Sequence, residues 1–205
     1  LGVEPVGVSH ECDHPPAARE RPAVNRSRVD PDAASAEIDR QVREAEQSGG
    51  VYEIDRETLA ALEPDLVVSQ GICDVCAVDD IERLGAALDR ESRARELIAE
   101  LEGRIETVER AAGATGGRPR VAALDWLDPV MVAGHWIPGM VDLAGGRYGL
   151  AERGERSRPR EWTTIREYDP EVLVASPCGF DLDQVAENVD DLTGREGWAD
   201  LTAVR

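Results

Sequence analysis

The sequence predicts an α/β protein in which two lobes, each built on a parallel sheet, are joined by one long α-helix. Short apolar runs alternate with helical patterns in both halves of the chain, as expected for parallel α/β sheets. The longest helical pattern, Asp79–Ala111, separates the halves. At about 1.5 Å per residue it would extend roughly 50 Å, which is too long for one small α/β layer. We therefore expect an N-terminal lobe (1–78), a connecting helix (79–112) and a C-terminal lobe (113–205).

The elements of the first half each have a local signal. Ile38 and Val42 share one face of a helical pattern that ends at Ser48 and two glycines. Asp55 is positioned to cap the next helix, and Pro64 follows the end of that helix. The predicted elements are strands Val6–Ser9 and Arg21–Asn25, helices Ala34–Gln47 and Arg56–Leu62, and strand Asp65–Ser69.

The second half repeats the alternation after a break at residues 113–119. Within the connecting helix, apolar residues recur at spacings of three, four or six, and acids and arginines between them form a solvated face. The predicted elements beyond the break are strand Val121–Leu124, helices Ile137–Ala144 and Trp162–Tyr168, strand Val172–Ala175 and helix Leu182–Leu192.

Charge excludes two classes of partner. The 205 residues carry a formal net charge of −19, with 42 acidic and 23 basic side chains. Nucleic acids and anionic membrane surfaces both select clusters of basic residues, so neither is an expected partner. Because the acids are spread along the whole chain, adaptation to high salt explains them better than steering of a cationic ligand, which molar salt would screen.

Targeting signals are not visible in the sequence. It contains no run of 18 apolar residues and no recognisable signal peptide. Because it starts at Leu1 rather than Met, we expect an upstream segment to have been removed or left out.

Unusual residues concentrate in four loops that follow predicted strands. All four cysteines, all three histidines, two of the four tryptophans and the single phenylalanine lie there. Ligands of parallel α/β sheets bind beyond the carboxyl ends of the strands, so these loops are expected to converge on one cleft. The loops are Ser9–Pro16, Gln70–Cys76, Asp125–Pro129 with Gly134–Trp136, and Ser176–Asp181.

The cysteines allow several interpretations. Cys73 and Cys76 form a single CxxC motif, which could be a disulfide, a pair of free thiols, a redox centre, or half of a metal site completed by Cys12, Cys178 or a histidine. A lone CxxC without a second ligand pair does not favour a metal. Cys178 could be a nucleophile, but no base stands in a defined relation to it.

The tryptophans leave two possibilities open, and a nucleotide enzyme is disfavoured. Trp126 and Trp136 could be core residues or a stacking surface for a flat ligand, and Trp162 could add to its rim. No GxGxxG or Walker loop follows any predicted strand, which argues against a nucleotide-binding enzyme.

Four segments together carry a resemblance to a known family: VGVSHECDHPP, EPDLVVSQGICDVCAV, RVAALDWLDPVMVAGHWIPGMVDLAGG and DPEVLVASPCGFD. They resemble the periplasmic cobalamin-binding proteins of ABC importers, which belong to the helical-backbone class (class III) of solute-binding proteins. The class also serves heme, siderophores and some metals. The resemblance implies two Rossmann-like lobes joined by one helix, with ligand held between the lobes by aromatic residues of the strand-end loops. It also implies binding without catalysis, no cofactor, small hinge motions, and an extracytoplasmic monomer, lipid-anchored in some cases, that delivers its cargo to a permease.

The resemblance assigns ligand contacts residue by residue. Surface glutamates of the family dock on the permease, and the expected position in the second lobe is Thr163, where Glu161 or Glu167 could substitute. The implied ligand contacts are His10, Glu11, Cys12, Asp13, Gln70, Gly71, Ile72, Cys73, Trp126, His135, Trp136, Cys178, Gly179 and Phe180. Relatives carry additional elements before Val6, after Val78 and after Arg205, so the N-terminal lobe is expected to be incomplete.

Three functional hypotheses follow. The first is capture of cobalamin or a related corrinoid. The second keeps the fold and changes the ligand to heme, a ferric siderophore or a metal ion. The candidate metal ligands are then Cys12, Cys73, Cys76 and Cys178, together with His10 and His135. The third is a thiol or redox protein that uses Cys73 and Cys76.

Overall fold

The computed structural model describes residues 1–69 and 77–205. The chain divides into two compact units, residues 2–71 and residues 72–205. Both combine helices with strands, and the chain is a mixed α/β protein, as predicted.

The first unit pairs two short strands antiparallel. In sequence order its elements are a 3-10 turn Pro16–Glu20, β1 Asn25–Ser27, α1 Ser35–Gln47, β2 Tyr52–Ile54 and α2 Arg56–Leu62. Asn25 pairs with Ile54 and Ser27 with Tyr52. A parallel sheet was expected here, but within residues 1–69 the one sheet is this antiparallel pair, supplemented by a single parallel bridge between Val8 and Ala23.

The helices of the first unit follow their sequence signals. Helix α1 starts one residue after its predicted start and buries Ile38 and Ala45. Asp55 caps α2, because its carboxylate accepts a hydrogen bond from the Thr58 backbone N–H at 2.9 Å. Both helix predictions are confirmed.

The strand predicted at Asp65–Ser69 is absent. Leu66, Val67 and Val68 are 45%, 61% and 61% exposed, and no neighbouring strand pairs with them in the described part of this unit. β-propensity acts through packing and pairing rather than through the backbone alone, so an apolar run without a partner does not become a strand.

The second unit contains a mixed four-stranded sheet flanked by helices. In sequence order its elements are α3 Ala77–Ala87, α4 Glu91–Ala114, β3 Val121–Trp126, β4 Met131–Val132, α5 Ile137–Leu143, β5 Arg158–Pro159, α6 Trp162–Tyr168, β6 Val172–Ala175, α7 Leu182–Asn188, α8 Asp190–Thr193 and a 3-10 turn Trp198–Asp200.

The predicted connecting helix is two helices rather than one. Asp89, between α3 and α4, adopts the left-handed conformation (φ 54°), which a short polar side chain tolerates. The chain reverses there, and α3 packs on α4 where the small residues Gly85 and Ala94 meet. The apolar spacing continues across the break, so periodicity alone could not reveal it.

The sheet has the strand order β5-β4-β3-β6. Strands β3 and β6 are parallel, with Val121 opposite Val172 and Leu124 opposite Ala175. Strands β4 and β5 are antiparallel additions at the other side of β3. The predicted parallel pairing is confirmed for β3 and β6, and the antiparallel half of the sheet was not foreseen.

The core of the second unit lies against β3. Its buried residues are all apolar. Four partly buried aromatic residues pack against them: Tyr148, Trp162, Tyr168 and Trp198. Its fully or nearly fully buried members are Ala122, Leu124, Leu127, Val130, Val132, Leu150, Ile165 and Leu192. This core fixes the sheet, and the loops at the two ends of the sheet carry the candidate site residues.

Candidate ligand-binding site

The predicted contacts in the second unit fall into two groups at opposite ends of the sheet. After β3 the chain turns at Leu127–Pro129 and returns antiparallel as β4, so that the Ala133 N–H donates to Ala123 O at 2.9 Å. Residues that follow β4 therefore lie towards the amino end of β3. The loop that follows β6 lies at the carboxyl end of β3, because β6 is parallel to it.

The group at the carboxyl end contains Trp126 and Cys178–Phe180. The rings of Trp126 and Phe180 meet edge to face with centroids 5.1 Å apart, and Cys178 N donates to Asp125 O at 3.2 Å. Trp126 is only 8% exposed, and its indole N–H donates to Asp128 O at 3.1 Å. Its ring is therefore mostly part of the interior and offers little surface for stacking, whereas Cys178 and Gly179 are exposed.

The group at the other end contains Gly134, His135 and Trp136. His135 N donates to Glu155 O, and Gly154 N donates to His135 O at 2.9 Å. Gly134 N donates to Ser157 Oγ at 3.1 Å. Two loops, one after β4 and one before β5, are thus held together by hydrogen bonds between their backbones and by one bond to the Ser157 hydroxyl.

His135 has two unusual features. Its backbone is left-handed, with φ 53°. Its Nδ1 is buried without a hydrogen-bond partner, the one such side-chain atom in the described part of the chain. Strained backbone clusters at functional sites, and a buried polar atom without a partner is rare enough to call for an explanation.

Trp136 presents an exposed aromatic surface. It is 54% exposed, and Met140, one helical turn later on α5, is 57% exposed. Arg153 lies against Gly139, the residue before Met140, and its guanidinium forms a 3.0 Å ion pair with Asp142. The result is an apolar surface bordered by a cation, which we call the Trp136 surface and define by Trp136, Met140 and Arg153.

Two titratable side chains, Tyr148 and Glu155, stabilise the loops at the amino end of β3. Tyr148 donates to Ala133 O at 2.7 Å and lies 3.1 Å from Ala123 O, so it ties the end of β4 to β3. Its burial raises the pKa of the phenol well above the ordinary value, and it remains neutral. The pKa of Glu155 is lowered, mainly by the hydrogen bond from Glu152 N at 2.9 Å and further by Arg158, so this carboxylate is already occupied.

The predicted contacts of the first unit form a local network. His10 N donates to Asn25 Oδ1 at 2.9 Å, and the His10 ring lies 5.5 Å from the Tyr52 ring. Glu11 lies 3.1 Å from His10 Nε2, and Asp13 pairs with Arg19 at 3.6 Å. Cys12 is exposed.

The remaining predicted contacts have no structural description. Gln70, Gly71, Ile72, Cys73 and Cys76 lie outside the described residues. Within residues 1–69 and 77–205, no three His, Cys, Asp or Glu side chains are arranged to hold a metal ion.

The docking candidates lie near the start and end of α6. Glu161 is exposed immediately before the helix. Glu167 lines a shallow cavity together with Thr163, Arg166, Asp200 and others. Both carboxylates are accessible, and their role in docking stays a prediction.

Several residues at the Trp136 surface were not singled out from the sequence. Met140 and Arg153 carried no separate signal, because their importance depends on how α5 and the 150–157 segment meet. The arginine-rich composition of that segment was visible in the sequence, but only as a polar loop.

Comparison with known proteins places the chain in a family. Residues 77–205 match the family model described as periplasmic binding protein. No curated protein sequence matches the chain. Within the described residues, no helix is both long enough and apolar enough to cross a membrane.

Solved structures with the same fold extend over nearly the whole chain. The periplasmic heme-binding protein RhuT from Roseiflexus sp. RS-1 is 21% identical (TM-score 0.67, covering 98% of this chain and 77% of that one). An ABC-type Fe3+-hydroxamate transport protein from Saccharomonospora viridis is 24% identical (0.61, 97% and 73%). The periplasmic vitamin B12 binding protein BtuF of Vibrio cholerae is 19% identical (0.56, 97% and 75%). The α/β fold is thus that of these binding proteins, and the family match, which spans more than half of the chain, shows that the chain belongs to the periplasmic binding protein family.

Proposed function

We propose that this chain is the extracytoplasmic solute-binding component of an ABC importer and that it captures a bulky, ring-shaped metal chelate for a permease. Cobalamin or a related corrinoid is the first ligand to test, and heme and ferric hydroxamate siderophores are the alternatives. The proposal rests on family membership for the mode of action and on the Trp136 surface for the kind of ligand.

The single observation that carries the ligand class is the exposure of Trp136 and Met140. A tryptophan that is half exposed beside a polarizable methionine is suited to stack against a flat, partly apolar ligand. Trp126, the other tryptophan assigned by resemblance, is largely buried and lies at the opposite end of the sheet, so it adds little to this surface. Similar structures include a heme-binding protein, an Fe3+-hydroxamate transport protein and a vitamin B12 binding protein. A large metal chelate is compatible with all three, and the similarity does not favour one of these ligands over the others.

Binding without chemistry fits the family better than thiol catalysis does. Periplasmic binding proteins capture solutes, and no described observation favours a reaction at Cys12 or Cys178. We therefore keep transport as the function and treat the carboxylates of Glu161 and Glu167 as the proposed contacts with the permease.

Isothermal titration calorimetry of the intact chain, in buffer with molar salt, tests the proposal. Cobalamin, cobinamide, heme and a ferric hydroxamate are titrated separately. We expect saturable one-to-one binding of one ligand class, weakened at least about tenfold by Trp136→Ala, because a well-packed aromatic contact commonly supplies that much affinity. The matched control is Ile105→Ala, which removes an exposed apolar side chain (48%) on α4.

The outcomes separate the ligand from the mode of action. If only heme or only the ferric hydroxamate binds, the corrinoid is rejected as the ligand, and the function as a solute-binding protein is retained. If the wild type and Trp136→Ala bind the ligand with equal affinity, the Trp136 surface is not part of the ligand-binding site. No binding of any of the four ligands would contradict the proposed function.

A further inference from the structure

The chain has one Asn-x-Ser motif that the proposed function does not use. It contains two asparagines, Asn25 and Asn188. Asn25 is followed by Arg26 and Ser27, whereas no serine or threonine stands two residues after Asn188. The pattern Asn-x-Ser or Asn-x-Thr, in which x is not proline, is the acceptor motif for N-linked sugars in exported proteins. Of the two asparagines, Asn25 alone therefore stands in an acceptor motif.

The hydrogen bonds of Asn25 leave its side-chain nitrogen available. Its Oδ1 accepts from the His10 backbone N–H at 2.9 Å and lies 3.0 Å from His10 Nδ1. Because a backbone N–H can only donate, the amide atom that faces it is the oxygen, and the nitrogen is on the other side of the amide. Nδ2 makes no hydrogen bond with any residue that the structure describes. A substituent on this nitrogen therefore breaks none of the described contacts.

Asn25 lies on an open face of the two-stranded sheet. Its cross-strand partner is Ile54, and Ser27 is opposite Tyr52. Opposed residues of an antiparallel pair, and alternate residues of one strand, project from the same face, so these four side chains share a face. Ile54 and Tyr52 are 59% and 52% exposed, so no described element of the first unit covers this face. Asn25, Tyr52 and Ile54 also line an open cavity of about 910 Å³, which leaves room for sugar residues.

We propose that Asn25 carries an N-linked glycan that is added outside the cytoplasm. The proposal rests on the extracytoplasmic location that the proposed function includes, and it concerns the first unit rather than the Trp136 surface. In the transfer, Asn25 Nδ2 forms a bond with the anomeric carbon of a sugar, and the bond between that carbon and a phosphate oxygen of a lipid-linked sugar donor breaks. The Nδ2 proton leaves with the lipid phosphate, and nothing is oxidised or reduced.

The glycosylated product is compatible with the fold of β1. The substituted amide keeps its oxygen, so the contacts with His10 survive. The hydroxyl of Ser27 donates to Val29 O at 2.9 Å and accepts from Val29 N at 3.0 Å, so the end of the strand is held without the Asn25 nitrogen.

Intact-mass spectrometry of the full chain, purified from the organism that encodes it, tests the proposal. We expect a mass above that of the polypeptide by whole sugar residues, and peptide mapping should locate the addition at Asn25. A sugar bound to nitrogen should survive mild alkali, which releases sugars from serine and threonine by β-elimination.

Four variants separate the motif from the fold. Asn25→Asp keeps Oδ1 as the acceptor for the His10 N–H and removes the side-chain nitrogen, so it should lose the added mass completely. Ser27→Ala should lose it as well, whereas Ser27→Thr keeps the hydroxyl and should retain the sugar. The matched control is Asn188→Asp, which removes the other asparagine and should leave the added mass unchanged.

The possible failures are distinguishable. A peptide containing Asn25 without any added mass in the wild type would overturn the proposal, and so would an added sugar that persists in Asn25→Asp or in Ser27→Ala. Ligand binding is measured separately by calorimetry. A chain that binds its ligand and carries no sugar refutes glycosylation alone, and a chain that carries the sugar and binds none of the four ligands refutes the proposed function alone.

Discussion

The substitution Gly134→Ala probes the junction between the two loops at the Trp136 surface. Gly134 does not have a positive φ, so its backbone conformation would also suit an alanine. What opposes the alanine is the lack of space for its Cβ. Its Cβ would lie 2.7 Å from the Arg156 carbonyl carbon and 2.8 Å from Ser157 N, and closer still to Glu155 O. All three are backbone atoms, so no side chain can rotate away, and the 155–157 segment has to shift.

The magnitude follows from the cost of inserting a methyl group into a packed contact. Overpacking costs about 1–3 kcal/mol, and the upper part of that range applies because backbone has to move. The shift also disturbs the backbone contacts that hold His135 beside Trp136, so we expect ligand affinity to fall in parallel. The matched control is Gly103→Ala in the middle of α4, where nothing lies within 4 Å of the new Cβ and a gain of about 0.8–1 kcal/mol is expected from helix propensity.

Urea unfolding followed by tryptophan fluorescence measures both variants. All four tryptophans belong to the second unit, so the signal reports that unit alone. We expect the midpoint of Gly134→Ala to fall and that of Gly103→Ala to rise, with unchanged slopes. If Gly134→Ala unfolds at the wild-type midpoint and binds ligand normally, the close contact between the loops is wrong.

Three further perturbations test separate parts of the molecule. Acrylamide should quench Trp136 far more efficiently than Trp126, because these residues are 54% and 8% exposed. Trp136→Phe should therefore lower the quenchable fraction of the emission, to which the half-buried Trp162 and Trp198 still contribute; equal quenching in wild type and variant would contradict the assigned exposures. Leu192→Ala should lower the free energy of unfolding by about 2–5 kcal/mol in the same urea assay, because the side chain is fully buried in the core, and a loss below about 1 kcal/mol would be inconsistent with that packing. Hydrogen bonds from the Thr202 backbone and hydroxyl, with help from Arg120, lower the pKa of Asp169. The stability that the ionised Asp169 contributes is therefore complete above the unfolded-state pKa and is lost as the pH falls through the lower folded-state pKa. Unfolding midpoints measured from pH 6 to pH 2 should fall less steeply in acid for Asp169→Asn than for the wild type, and identical pH dependence would refute this linkage.

Local signals predicted some elements of the second unit well, whereas the helix predicted at Leu182–Leu192 is two helices, Leu182–Asn188 and Asp190–Thr193. Helix Trp162–Tyr168 and strand Val172–Ala175 have the predicted bounds, because each apolar pattern ends at a turn or a proline that the sequence shows. The break at Asp89 was missed, because Leu84, Leu88 and Ala94 keep a helical spacing on both sides of a left-handed residue that no pattern marks.

Tertiary geometry of the site was less accessible from sequence. Strands β4 and β5 each contain two residues, too few for any alternation to be visible, yet β4 sends His135 and Trp136 to the opposite end of the sheet from Trp126. The expectation of one cleft at the carboxyl ends assumed that every strand runs parallel. The turn between β3 and β4 also decides that Trp136 is exposed and Trp126 is buried. The sequence alone therefore could not tell whether each tryptophan is a core residue or part of a stacking surface.

Native mass spectrometry of the intact chain, mixed with equal amounts of cobalamin, heme and a ferric hydroxamate, tests the central claim most directly. It reports which ligand is retained, in what ratio, and whether the ligand mass changes. Capture for transport predicts one non-covalent complex with a single ligand whose mass is unchanged on release. A chain that retains none of the three, or that returns a ligand of altered mass, would contradict the account.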